Sequence, residues 1–108
     1  MKYVIDLDGT LCVSKDSDYL NSEPITERIA RVNDFFLAGN NVVIYTARGM
    51  ETFNGDVKKA NEVWKQHTEN QLRDWNLHYT KLILGKPSAD FYVDDKAVPA
   101  DLFFKFGQ

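Results

Sequence analysis

Short apolar runs alternate with helix-like stretches along this chain, and that alternation constrains its fold more than any other feature. Tyr3-Val4-Ile5, Val42-Val43-Ile44-Tyr45, Leu82-Ile83-Leu84 and Phe91-Tyr92-Val93 have the length and the β-branched or aromatic content of strands. Between the first two runs lies a polar loop, Val13 to Glu23. Pro24 is then expected to open an amphipathic helix with Ile25, Ile29, Val32, Phe35 and Phe36 on one face, stopped by Gly39. After the second run, a polar loop from Ala47 to Asp56 leads into a long helix from about Val57 to Trp75. Trp64, Leu72 and Trp75 lie near one side of that helix, with both Trp residues suited to packing. Pro99 starts a short closing helix carrying Leu102, Phe103, Phe104 and Phe106. Strand, helix, strand, helix, strand implies parallel pairing through crossover connections, an α/β fold with a parallel sheet.

The chain has 108 residues, the size of one domain, read as spanning 1–108. A net charge of -3 supplies no electrostatic reason for a nucleic-acid or membrane partner. No stretch approaches the ~20 apolar residues of a membrane span, and the N-terminal apolar run is too short for a signal peptide. The single cysteine, Cys12, excludes an internal disulfide and a Cys-based zinc cluster, and it needs no redox role. The expected compartment is the cytoplasm.

In open parallel sheets, ligands bind beyond the carboxyl ends of the strands. The first run is followed there by Asp6-Leu7-Asp8-Gly9-Thr10, the second by Thr46 and Arg48, the third by Gly85 and Lys86, and the fourth by Asp94 and Asp95. Two carboxylates one residue apart raise each other's pKa and destabilise the fold unless a cation or proton compensates. Asp6 and Asp94 could hold a hard divalent cation such as Mg²⁺, which prefers carboxylate and phosphate oxygens. The Thr46 hydroxyl and nearby backbone N–H groups, that of Ala47 among them, could hold phosphate oxygens, and Lys86 would balance the negative charge. In this chemistry Asp6 attacks phosphorus and forms an acyl phosphate that water then hydrolyses. Asp8 protonates the leaving oxygen and later deprotonates the water.

The ordered set Asp6 with Asp8, then Thr46, then Lys86-Pro87, then Asp94 with Asp95 resembles the haloacid dehalogenase (HAD) superfamily of phosphotransferases. The resemblance covers nearly the whole chain. It implies a three-layer Rossmann-like parallel sheet and a Mg²⁺ cofactor held by Asp6, Asp8, Asp94 and Asp95. The second acid of the first motif, Asp8, implies a phosphatase or phosphotransferase, against both a dehalogenase and a transport ATPase. More narrowly, Tyr45-Thr46-Ala47-Arg48, Asn54-Gly55 and Gly85-Lys86-Pro87 leading into Phe91-Tyr92-Val93-Asp94-Asp95-Lys96-Ala97 are similar to small proteins of capsular polysaccharide biosynthesis. Neither interval between motifs has room for a cap domain, so a capless enzyme is expected. Its site would be shielded by the flap near Lys15 to Asn21, by the Arg48 to Gly55 loop, or by a neighbouring subunit. A phosphorylated receiver domain places its acids in another order, and the P-loop pattern Gly-x-x-x-x-Gly-Lys-Ser/Thr is missing.

The expected substrate is a small phosphorylated metabolite, a sugar phosphate above all. A nucleotidase or a phosphatase of macromolecules is the alternative within the same chemistry. A non-catalytic binding module or structural subunit of a glycan-assembly complex is the alternative outside it. Arg48 is expected either to meet a second acidic group of the substrate or to form a surface salt bridge. Asp95 either binds metal or orients Lys96 and Lys86. His67 and His78 read as surface residues, and Lys81 precedes its strand and so belongs to the opposite edge from Lys86. The apolar Phe103-Phe104-Lys105-Phe106 segment and the two Trp residues suggest a homo-oligomer, with a neighbour partly covering the pocket beside Arg48 and the flap.

Overall fold

Two crossover units account for the sheet. In the computed structural model, which describes residues 1–106, strand β1 (Lys2–Asp6) connects through helix α1 (Thr26–Leu37) to β4 (Asn41–Thr46). Strand β4 connects through α2 (Val57–Asp74) to β5 (Lys81–Leu84). A two-residue hairpin, β2 (Cys12–Val13) with β3 (Glu23–Pro24), stands between β1 and α1. The main sheet has the order β1-β4-β5 and both pairings are parallel. Asp6 lies opposite Tyr45 and Thr46 opposite Leu84, so three strand ends finish at one edge. The protein is a small α/β domain with a radius of gyration of 13.4 Å, as expected for a compact chain of this length.

The core follows from the apolar runs. Ile5 from β1, Leu7 from the first motif, Val42 and Ile44 from β4, Leu82 and Leu84 from β5 and Ile29, Val32 and Leu72 from the helices form one cluster. Trp64 and Trp75 are partly buried against it, which gives both the packing role expected of them. Helix α2 begins where Asp56 accepts the Lys59 N–H at 3.2 Å, a side-chain cap. It ends where Asn76 takes a left-handed φ of 56° and the Leu77 N–H returns to the Leu72 carbonyl.

Three expectations are corrected. Pro24 does not open α1. It pairs with Cys12 in the short hairpin, where its missing N–H costs nothing, and the helix starts at Thr26. The polar loop from Val13 to Glu23 is likewise more ordered than its composition implies. Two short 3₁₀ turns, Lys15–Ser17 and Tyr19–Asn21, are held between the hairpin strands. The third correction is larger. Phe91-Tyr92-Val93 forms no strand: the segment leaves β5 as an irregular arm and joins the last helix, α3 (Ala100–Phe106). Among the described residues β1 pairs with β4 alone.

Helix α3 packs back on the start of the sheet. Phe103 meets Tyr3 and Phe35 edge-on at 6.0 and 5.8 Å, and Arg28 pairs with Asp101 at 2.5 Å while lying over the Phe104 ring. Much of the aromatic surface read as an interface is therefore used inside the chain. The expectation for Phe106's side chain, and for residues 107–108 of the domain, lies outside the described residues.

Candidate functional site

The first motif leaves β1 in a tight loop. The Thr10 and Leu11 N–H groups return to the Leu7 carbonyl, the Gly9 N–H reaches Cys12, and Gly9 itself has a φ of 84°, open to glycine and strained for other residues. Leu7 points wholly inward, so the alternating Asp6 and Asp8 are displayed at the strand end.

Asp6 is the more open of the two. Thr10 donates its hydroxyl to one carboxylate oxygen at 3.1 Å, and the Lys86 ammonium lies 3.3 Å from the other. Lys86 is placed by its own backbone N–H, which bonds the Thr46 carbonyl at 3.2 Å, and its ammonium sits 4.3 Å from the Tyr92 ring centre. A cation beside a carboxylate at this range lowers the charge repulsion an incoming anion would meet.

Asp8 has a different environment. Arg48 grips it with two arms, Nε to Oδ2 and a terminal nitrogen to Oδ1, both at 2.9 Å, and Ser14 donates to Oδ1 at 2.6 Å. Burial alone would push the Asp8 carboxyl up. The hydrogen bonds and charge of Arg48, with help from Ser14 and Cys12, outweigh that and hold it below the ordinary carboxylate value.

Arg48 is 0% exposed, so its salt bridge is an interior one and not the surface pair that was one of its two expected roles. Its remaining donors reach Thr68 at 3.1 Å, Gln71 at 2.6 Å and Ser22 at 3.3 Å, and its guanidinium lies 4.9 Å from the Tyr19 ring centre. Gln71 in turn donates to the Tyr19 carbonyl at 2.6 Å, and Ser14 and Ser22 share a 2.5 Å hydrogen bond. One buried guanidinium therefore ties the first motif, the 3₁₀ flap and α2 together. With these partners it is not presented as a free donor for a second substrate phosphate.

Thr46 is also turned inward. Its hydroxyl accepts the Arg48 N–H at 3.2 Å, which shapes the loop after β4, and the residue is 1% exposed. Gly49 completes that loop: at φ 80° a side chain there would meet Trp64 and Ala60 of α2 at about 3 Å.

Two cavities meet at Asp6 and Lys86. The smaller, about 210 Å³, is lined by Asp6, Asp8, Tyr19, Ala47, Arg48, Lys86 and Tyr92. The larger, about 870 Å³, runs along β1 from Lys2 to Asp6 and is also lined by Lys86, Asp94 and Lys96. Asp94 is fully exposed and accepts the Lys96 N–H at 2.8 Å. That bond, with the nearby Lys96 charge, holds its carboxyl below the ordinary value. Asp95 lines neither cavity. Among the described residues no three His, Cys, Asp or Glu side chains converge as a ready cluster, so Asp6, Asp8, Asp94 and Asp95 are not gathered together. Mg²⁺ does not require such a cage: it is commonly held by one or two carboxylates with several waters and phosphate oxygens. Asp6 and Asp94, oxygen donors facing one cavity, fit that pattern. Asp8, with both oxygens engaged by Arg48, does not.

Several participants carry no local signal. Ser14, Tyr19, Ser22, Thr68 and Gln71 are ordinary polar residues in the sequence, and only the fold brings them around Arg48. Arg28, which donates to the Thr10 carbonyl at 3.0 Å while pairing with Asp101, was equally silent. His67 lies against Trp64 and His78 stacks on Phe36, both away from the two cavities. Lys81 begins β5 at the end opposite Leu84.

Cys12 is buried beside Asp8, and burial followed by that negative charge pushes its thiol up to about 11. The thiol is expected to resist alkylation at pH 8 until the protein unfolds, as measured by mass spectrometry across a denaturant series. Rapid modification of the native protein would contradict the packing around Asp8.

No family model matches the chain, and no curated protein matches it. A crystal structure of a structural-genomics target from Vibrio cholerae superposes with a TM-score of 0.90 at 34% identity, over 97% of this chain and 88% of that one. At that identity and coverage, the chain belongs to one family with the Vibrio cholerae protein. A chain from the structure of a Pnkp1/Rnl/Hen1 complex aligns with a TM-score of 0.56 at 22% identity, over 99% of this chain. That likeness is one of fold, and this chain spans only 35% of that chain's length.

Proposed function

We propose that this protein is a Mg²⁺-dependent phosphomonoesterase with a capless HAD-like, three-layer Rossmann-type fold, acting on a small phosphorylated metabolite such as a sugar phosphate. The observation that carries the reading is Asp6: a carboxylate at the carboxyl end of β1, open to both cavities, with Lys86 3.3 Å away. A carboxylate so placed can act as a nucleophile toward phosphorus while the ammonium steadies the incoming phosphoryl charge.

In this reading an Asp6 oxygen attacks phosphorus as the bond to the leaving oxygen breaks, giving an acyl phosphate on residue 6. Water then attacks the same phosphorus, releasing phosphate and restoring the carboxylate. Bound Mg²⁺, held by Asp6 and Asp94, would supply charge neutralisation at the phosphoryl oxygens. Asp8 rests as a carboxylate against Arg48, a state suited to taking a proton from the attacking water. To protonate the leaving oxygen in the first step, it must take up a proton and loosen its hold on Arg48. Acid–base assistance of this kind contributes roughly 10²–10⁴ in rate. Tyr19, stacked on Arg48, walls the small cavity and would limit water on that side.

The test is phosphate release from a panel of sugar phosphates and nucleotides, with Mg²⁺ and with excess chelator. Turnover is expected with Mg²⁺ and is expected to fall to background on chelation, and Mg²⁺ should raise the thermal midpoint by mass action. Undiminished turnover in chelator would remove the metal from the account. A panel with no turnover under either condition would favour the non-catalytic alternative.

A further inference from the structure

We propose that the protein works as an arm-exchanged dimer, in which Phe91–Val93 of each copy pairs as an added strand along β1 of the other. The outer edge of β1 is unpaired among the described residues, and beside it lies the 870 Å³ cavity. Val4 on that strand is 58% exposed, an unusual position for the centre of a sheet's first strand. This chain's own Asp94, Lys96 and Val98 wall that cavity without pairing, and an unpaired edge of this kind is a template for another strand.

The same chain carries a strand with nowhere to go. Phe91 is 85% exposed and Val93 97%, although their sequence pattern is that of a buried strand. Its own β1 is out of reach in a parallel register. β4 lies between β5 and β1, and a parallel return to the start of the sheet needs a crossover of about a dozen residues or more. Only Gly85 to Asp90 separate Leu84 from Phe91. Those residues do not descend the sheet: the Tyr92 hydroxyl bonds the Pro87 carbonyl and its ring stays against Lys86, so the segment remains near the carboxyl end. A short connection that blocks closure within one chain favours exchange between copies.

A second copy meets every requirement. It brings an identical arm to an identical edge, so the contact is self-complementary and closes as a two-fold dimer. Pairing in parallel would put one copy's Asp94 at the end of the other's β1, in place of that chain's own Asp94, which faces the same cavity as Asp6 in the single chain. The exchange stands on the edge, the arm and the connection, independently of any activity.

The experiment uses the intact chain and no substrate. Sedimentation at micromolar concentration is expected to show a dimer, and inserting a dozen Gly/Ser residues after Pro87 is expected to shift it to monomer by permitting closure within one chain. Val4→Cys and Val93→Cys, placed on separate copies and co-expressed, should be joined to each other by a short bismaleimide, with buried Cys12 unreactive. A monomeric parent protein would overturn the proposal. So would joining confined to one chain when both substitutions are carried together, or a dimer that survives the insertion unchanged.

Discussion

Asp6→Asn is expected to lower phosphate release by at least about 10⁴-fold while leaving the fold intact, because it removes the attacking charge and keeps nearly the same shape. The Thr10 hydroxyl can still donate to the remaining amide oxygen, and Lys86 loses a partner that is already part-exposed, so little stability is at stake. Circular dichroism and the thermal midpoint of the variant should therefore lie close to the parent's. Near-normal turnover in the same variant would show that Asp6 does not form a covalent intermediate.

The second large effect is on stability. Arg48→Met keeps much of the volume but leaves Asp8 partly buried with no cation, and breaking a buried pair in this way costs roughly 3–5 kcal/mol. For a domain of this size, a loss of about 3 kcal/mol lowers the thermal midpoint by roughly 12–24 °C. Adding Asp8→Asn to Arg48→Met should recover part of that loss, since the stranded charge is then gone. The pH dependence has a definite sign. The folded-state pKa of Asp8 is depressed, so its stabilisation is present above the unfolded value of about 3.9 and fades as pH falls through the folded value. Without Arg48, burial is opposed only by the hydrogen bonds from Ser14 and Cys12, and that pKa rises. The gap between parent and Arg48→Met should therefore narrow on acidification from pH 7 to 4. A gap that is small at pH 7, or one that widens in acid, would contradict the role given to the pair.

The parts of the fold legible in the sequence are those set by local period. Strands β1, β4 and β5 stand where β-branched and apolar runs end in polar residues, and α2 begins at its Asp56 cap. The placement of Asp6 and Lys86 followed, because both lie just beyond such runs and a parallel sheet aligns its strand ends. What the sequence did not disclose depends on distant partners. Arg48 looked like a residue for solvent or substrate, yet α2 and the flap close around it through Thr68, Gln71 and Ser22. Thr46 ends β4 as its motif suggests, but its side chain is buried and its hydroxyl accepts the Arg48 N–H of the turn that follows. Phe91–Val93 has the composition of a strand, but composition does not provide a neighbour, and the connection from β5 is too short to supply one within the chain.

A phosphorylated Asp6 is tested most directly with borohydride, which reduces an acyl phosphate to an alcohol while sparing a free carboxylate. Protein quenched during turnover of an active phosphomonoester with Mg²⁺, then reduced and mapped by peptide mass spectrometry, should carry homoserine at position 6 and unaltered Asp8 and Asp94. Reduction should be missing when substrate is omitted. Continued phosphate release with Asp6 intact under the same quench, or homoserine at Asp8 or Asp94 instead, would contradict the assignment of Asp6 as the nucleophile.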